Sequence, residues 1–300
     1  TNSTGDYSLS LDPGSWVVCE LTPVADGWTQ SYPDFATGGG DCSTVTYLAG
    51  LEAGPVGWKI NLISNETDSG NDFGNWTPGT KSGTQYDDLD ASGDFDSGEP
   101  GLSGWTIRAY EDTNEDGVLQ VGETTIADSA VTDGSGDYEL TLDPGFYVVC
   151  EVSQTDWTQS GPSNSLCAAL PAAQNVEDGG HAFEMTSGDT TTHVDNDFFN
   201  YQKATKSGTK FNDLNANGVD DGEPPVQGVF VCAYTDADAN GVPDTPASPE
   251  ECDPTNSTGD YSLSLDPGSW VVCELTPVAD GWTQSYPDFA TGGGDCSTVT

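Results

Sequence analysis

Apolar and polar residues alternate along short stretches of this chain. Tyr261-Ser262-Leu263-Ser264-Leu265 puts an apolar side chain at every second position, the two-residue period of a half-buried β-strand. Asp266-Pro267-Gly268 follows with residues suited to turn dihedrals, and Ser269-Trp270-Val271-Val272-Cys273 resumes the apolar pattern. The pattern predicts a strand, a tight turn and a strand. Runs at 229–234, 105–110 and 57–63 have the same apolar character and strand length. No segment sustains a 3.6-residue period, and 37 Gly and 18 Pro break the chain into short pieces. Several short strands per about 125 residues predict an all-β chain of tandem β-sandwich modules.

The order of these pieces repeats. Residues 1–46 and 255–300 are identical at every position, a period of 254 residues. A weaker repeat lies inside that period. KSGTQYDDLDASGDFDSGEP at 81–100 matches KSGTKFNDLNANGVDDGEP at 206–224, and SGDYELTLDPGFYVVCE at 135–151 matches TGDYSLSLDPGSWVVCE at 258–274. On this comparison 81–205 is a complete module. Residues 1–80 are the back part of a module whose front strands are missing. Residues 206–300 are the front part of a second module, which continues as the equivalent of 47–80. The expectation is a window on a longer repetitive chain; the rival is a protomer whose two ends complement neighbouring molecules.

Eight Cys divide along the repeat. Cys150 and Cys167 are the sole pair in the complete module and most simply bond to each other. By parity Cys273 pairs with Cys296 and Cys19 with Cys42, leaving Cys232 for Cys252. A metal site and reduced structural thiols are the alternatives, although no CxxC spacing occurs. Disulfides imply an oxidising, extracellular compartment.

Charge narrows the partners. Fifty Asp and Glu against six Lys and Arg give a formal net charge of -44. Six basic residues cannot neutralise a phosphate backbone, which excludes nucleic acid as an expected partner. No apolar run is long enough to span a bilayer, so membrane insertion of this segment is not expected. The aromatic content of 10% argues against a disordered acidic tail.

The acids are most regular in four loops. Asp88, Asp90, Ser92, Asp94, Asp96 and Glu99 occupy positions one, three, five, seven, nine and twelve of the first, with Gly93 at position six. Ca²⁺ takes six to eight oxygens, and this alternation aims successive side chains and one carbonyl at a common point. Asp112, Asn114, Asp116, Val118 (through its carbonyl), Gln120 and Glu123 repeat the pattern. A third loop, Asp213, Asn215, Asn217, Val219, Asp221 and Glu223, is one residue shorter. A fourth, Asp236, Asp238, Asn240, Val242 and Asp244, has no Glu at position twelve, and Glu250 or Glu251 is the candidate to reach back. Asx-rich turns on a solvated acidic surface are the plainer reading of any one loop. Strand-like segments flank the loops where an EF-hand would have helices, so the calcium scaffold is expected to be β.

GTKFNDLNANGVDDGEPPVQGVFVCAY followed by TGDYSLSLDPGSWVVCE resembles the SdrD B-like repeats of bacterial surface proteins, within the Cna-B/prealbumin-like β-sandwich group. The resemblance covers 81–205 and the visible portions of the second module. It implies a sandwich of seven strands or so, stiffened by Ca²⁺, serving as an extracellular stalk or fibre module. It implies calcium ligands at Asp88, Asp90, Ser92, Asp96, Glu99, Asp213, Asn215, Asn217, Asp221 and Glu223, and similarly in the loops that begin at Asp112 and Asp236. The Cys pairs depart from the usual Cys-free pattern. Some relatives cross-link a Lys to an Asn, for which Lys81 or Lys206 and Asn75 or Asn200 are the candidates.

The expected function is a structural tandem-repeat subunit of an extracellular, cell-surface filament or stalk, partnered by other copies of itself. The alternative is a surface adhesin module binding a protein or glycan, with Trp28, Trp157 and Trp282 of a shared W-T-Q motif as contacts. A third reading makes the acid excess a salt adaptation with calcium incidental. No GxSxG or HExxH occurs, His181 and His193 are not repeated, and an enzyme is not expected. Asn2, Asn65, Asn75 and Asn256 lie in triplets that permit N-linked glycans.

Overall fold

A computed structural model describes residues 1–23, 26–37, 39–45, 50–275, 281–287 and 293–299. The last position of each identical stretch, Thr46 and Thr300, lies outside these. The first segment contains β1 (Gly14–Val18), β2 (Leu21–Pro23), β3 (Thr29–Tyr32), β4 (Gly40–Asp41), β5 (Leu51–Ala53), β6 (Val56–Leu62) and β7 (Gly74–Trp76). They pair as β1-β6-β4, β2-β5 and β3-β7.

The middle segment is a sandwich of two four-stranded sheets. Its strands are β8 (Gly79–Asp87), β9 (Thr106–Glu111), β10 (Ile126–Val131), β11 (Asp137–Leu142), β12 (Gly145–Val152), β13 (Thr158–Gly161), β14 (Val176–Met185) and β15 (Phe198–Tyr201). The sheet orders are β10-β9-β12-β14 and β11-β8-β15-β13. The predicted period is visible in β11, whose residues alternate exposed and buried from Asp137 to Leu142. Ile107, Ala109, Leu140, Leu142, Val149, Met185 and Phe198 fill the space between the sheets. The outer face of β12 is covered as well: Val148 and Cys150 pack with Tyr110, Leu119, Cys167 and Leu170. That second layer explains why β12 is apolar on both faces, whereas β11 is apolar on one.

The last segment has β16 (Ala204–Thr209), β17 (Phe230–Thr235), β18 (Glu251–Pro254), β19 (Asp260–Leu265) and β20 (Trp270–Leu275). They form a β16-β19 pair and a β18-β17-β20 sheet. Val231, Ala233, Leu263 and Leu265 are the core between them.

The two identical stretches do not fold identically. Asp260–Leu265 is strand β19, paired along its length with β16. The same six residues at 6–11 form no strand. Leu263 is fully buried while Leu9 is 58% exposed, and Val271 is 3% exposed where Val17 is 47% exposed. The sequence is constant, so the partner decides: β16 and β17 are present only beside the second copy. Burying one Leu or Val side chain is worth about 1.5–3 kcal/mol, enough to settle whether a marginal six-residue strand forms. The alternation in YSLSL therefore predicts the strand at 261–265 correctly and overpredicts it at 7–11.

Candidate metal-binding loops

All four acidic loops share one backbone conformation. Position four has left-handed φ in each: Ala91 (59°), Glu115 (61°), Ala216 (57°) and Ala239 (53°). Position six is Gly93, Gly117, Gly218 or Gly241, with φ of 73–80°. Glycine is required there because a side chain meets a steric penalty at that φ; at Gly93 a Cβ would also sit 2.7 Å from the Ser160 carbonyl oxygen. The position-six amide donates to the position-one aspartate in every loop, at 2.8, 2.7, 2.8 and 2.9 Å for Asp88, Asp112, Asp213 and Asp236. The repeated spacing of Asp and Gly thus gives the same turn four times.

The closing acid is also repeated. The position-two amide donates to Glu99 in the first loop, Glu123 in the second and Glu223 in the third, at 3.1, 2.9 and 2.6 Å. The third loop closes in this way despite being one residue shorter. In the fourth, Asp244 takes the same role: the Ala237 amide donates to it at 2.7 Å. Of the two acids expected to reach back, Glu251 is engaged elsewhere. Glu251 accepts from the Ser264 amide across the β18–β19 edge, and the Glu250 amide bonds the Ala233 carbonyl.

Carboxylates converge most closely in the first loop, where Asp88, Asp90 and Glu99 each offer an oxygen within 4.8 Å of the others. Ser92 and Asp94 are tied together, the Ser92 hydroxyl donating to the Asp94 carbonyl, while the Asp96 amide donates to Glu99. In the second loop Asn114 and Gln120 both donate to Asp116, and the Val118 carbonyl accepts from Gln120. In the third, Asn215 and Asn217 meet Asp221, and the Val219 amide bonds Asn217. In the fourth, Asn240 bonds Asp238 and the Val242 amide bonds Asn240. Every side-chain donor set is built from Asp, Glu, Asn, Ser and Gln, so the available ligand atoms are oxygens, which suit a hard cation.

Hydrogen bonds within the loops lower four of the acids, Asp88, Asp116, Glu123 and Asp213. Burial pushes Asp88 up, but the Ser160 hydroxyl and the Gly93, Ser92 and Asp90 amides outweigh it and leave the carboxyl below the usual range. Glu123 and Asp213 show the same balance, burial opposed by loop amides and, respectively, the Thr113 and Ser285 hydroxyls. The Val118 amide and the Gln120 side chain lower Asp116.

The four disulfides are Cys19–Cys42, Cys150–Cys167, Cys232–Cys252 and Cys273–Cys296. Cys232 and Cys252 face one another across β17 and β18. Cys150–Cys167 ties the centre of β12 to the loop covering its outer face.

A buried polar cluster was missed by sequence reasoning. Gln85, Glu151 and Asn200 are all fully buried. Asn200 donates to Glu151 at 2.7 Å and accepts from Gln85. Glu151 is held well above the usual carboxylate range, chiefly by burial. The group beside Asn200 is therefore Gln85. Lys81, a cross-link candidate, is buried elsewhere, 4.4 Å over the Phe183 ring. Repeat alignment makes Lys210, not Lys206, the counterpart of Gln85. Lys210 pairs with Glu274 at 2.7 Å, and Asn75 donates to Glu20 at 2.9 Å. The signal was available in the alignment of VVCE151 with VVCE274, where an acid follows a buried strand.

The remaining candidates lie apart from the loops. Asn65 sits in an exposed turn, and Asn2 and Asn256 are exposed, whereas the Asn75 amide is engaged by Glu20. Trp157 is half-buried against Trp105, with ring centroids 5.6 Å apart; Trp28 and Trp282 are exposed. His181 bonds the Asp197 carbonyl, and burial lowers its pKa to about 4.

Solved structures similar to the chain include the Bacillus anthracis TIE protein, at 13% identity over 76% of this chain and 36% of that one, with a TM-score of 0.33. A streptococcal ancillary pilin matches at 13% identity over 81% of this chain and 66% of that one, TM-score 0.32. The shaft pilin SpaA from Lactobacillus rhamnosus GG matches at 11% identity over 67% and 89%, TM-score 0.29. The chain thus spans about a third of the TIE protein. At these scores the sandwich assignment rests on the strand pairing of the chain itself. No family model matches the chain, and no curated protein matches it.

Proposed function

We propose that the chain is a structural tandem-repeat subunit of an extracellular filament or surface stalk, of the SdrD B-like kind, stiffened by Ca²⁺ in its loops and by disulfides. The observation that carries this reading is the common backbone of four loops, each with an aspartate clamped by the position-six glycine and a closing acid on the position-two amide. Asp88, Asp90, Ser92, the Asp94 carbonyl, Asp96 and Glu99 would hold one ion, and the corresponding residues of the other loops the rest. The ion would neutralise facing carboxylates and fix the crossings between strands. Four disulfides in one chain fit an oxidising compartment.

The adhesin alternative gains little from the W-T-Q tryptophans, since the one in the complete sandwich packs against Trp105. Thermal melting with and without a chelator, at constant ionic strength, tests the proposal. A site at a thousandfold excess of Ca²⁺ over its Kd adds about 4 kcal/mol, so chelation is expected to lower the Tm by roughly 10 °C or more. An unchanged Tm would favour the salt-adaptation reading, and negative-stain images showing only isolated globules would sink the filament.

A further inference from the structure

Position five is where the four acidic loops differ in chemistry. It is Ser92 in the first, Asp116 in the second, Asn217 in the third and Asn240 in the fourth, and each is followed by the position-six glycine. Asn-Gly is a reactive pair. The glycine nitrogen can attack the carbonyl carbon of the asparagine side chain, and with no Cβ on the glycine nothing of its own shields the approach. Asn217-Gly218 and Asn240-Gly241 are the only Asn-Gly pairs in the sequence. Both asparagines are exposed, so water reaches them.

In the folded loops the reacting atoms are held. The Gly218 amide donates to Asp213 at 2.8 Å, and the Gly241 amide to Asp236 at 2.9 Å. Attack requires that nitrogen to give up its proton, and a carboxylate so close disfavours the amide anion that would result. The asparagine side chains are tied as well. The Val219 amide donates to Asn217 Oδ1 and the Val242 amide to Asn240 Oδ1, each at 2.7 Å. Asn217 Nδ2 donates to Asp221 at 3.3 Å, and Asn240 Nδ2 to Asp238 at 2.8 Å. The second loop shows that an acid fits at position five. Asp116 accepts from the Val118 amide at 3.0 Å, and Gly117 still donates to Asp112.

We infer that Asn217 and Asn240 are sites of spontaneous deamidation, and that the position-one aspartate of each loop sets the rate by holding the attacking amide. The glycine nitrogen loses its proton and bonds the asparagine Cγ; the Cγ–Nδ2 bond breaks, and the side-chain nitrogen leaves as ammonia, carrying that proton. Water then opens the succinimide. Opening at Cγ leaves aspartate, a carboxylate where the second loop already has one. Opening at the main-chain carbonyl leaves isoaspartate, which lengthens the main chain by one carbon and draws the glycine off its aspartate. The third and fourth loops therefore have a chemical lifetime that Ser92 denies to the first.

The test is peptide mapping by mass spectrometry of the 300-residue chain, incubated at mildly alkaline pH with disulfides intact and Ca²⁺ held constant. Wild type is expected to convert slowly at 217 and 240 when folded, and about tenfold faster or more when unfolded in urea at the same pH. Asp213→Ala is expected to speed conversion at 217 by about tenfold or more while 240 in the same molecule stays slow, and Asp236→Ala to do the reverse. Each variant thus carries its own control, since general unfolding would speed both sites together. In a variant that circular dichroism shows to be folded, unchanged rates, or rates that rise equally at both sites, overturn the inference. If a variant fails to fold, wild type decides alone: equal rates folded and unfolded, or no conversion at either site in urea, overturn it.

Discussion

Replacing Glu151 by Gln should stabilise the middle sandwich at neutral pH. Glu151 is fully buried, with Asn200 donating to one oxygen while the other has no partner; Gln85 Oε1 is likewise unpartnered. A Gln at 151 would accept from Asn200 as before and offer an amide to Gln85, satisfying both orphans. An unsatisfied buried polar atom costs about 1–3 kcal/mol. The acid also carries a pH cost. Its folded pKa is raised above the unfolded one, so its stabilising contribution is full below the ordinary Glu pKa near 4.3 and is lost as pH rises. The loss is about 1.4 kcal/mol per pH unit, which bounds it at about 4 kcal/mol by pH 7. The expected gain for Glu151→Gln is therefore about 1–4 kcal/mol at pH 7, shrinking towards pH 4. Hydrogen exchange of β8, β12 and β15 amides reads this locally, free of the other segments. A variant less stable than wild type at pH 7, or a difference that does not grow with pH, would refute the reasoning.

Lys81→Met should show the opposite pH trend. Burial lowers Lys81 to about 7, so wild type gains stability as pH rises from there towards the ordinary Lys value. The Met advantage should fade over the same window in denaturant titrations. Gly93→Ala, strained at φ 79° and crowded by Ser160, should weaken Ca²⁺ in the first loop alone, seen as one fewer tight site by calorimetry. Removing Cys150 and Cys167 together opens a link of 17 residues and should cost about 3 kcal/mol in the unfolding of the middle segment. Glycopeptide mapping of secreted material should find any N-linked glycan at Asn65, Asn2 or Asn256 and leave Asn75 bare.

The strands at 57–63, 105–110, 229–234 and 261–265 were legible because a two-residue apolar period and flanking Gly or Pro are local properties. The acid spacing at 88–99 is local too, and the structure brings Asp88, Asp90 and Glu99 together there. What was not local was missed. Residues 6–11 carry the same letters as 260–265, yet the strand depends on β16, which lies far away in sequence. The closing role of Asp244 depends on how 236–244 folds back to the Ala237 amide, which spacing alone does not determine. The Gln85–Asn200–Glu151 cluster joins the first, middle and last parts of the sandwich, and no single window of sequence contains it.

The middle sandwich enters through β8 and leaves through β15, and these two strands are hydrogen-bonded in parallel, Phe198 beside Gln85 and Asn200 beside Asp87. Tension on the two ends of that segment therefore pulls the pair along its own length. Bonds so arranged share the load and must yield together, where an antiparallel entry and exit would unzip one bond at a time. The Gln85–Asn200 contact crosses the same seam, out of reach of water. A thread made of such units would resist stretching at the place where each unit begins and ends.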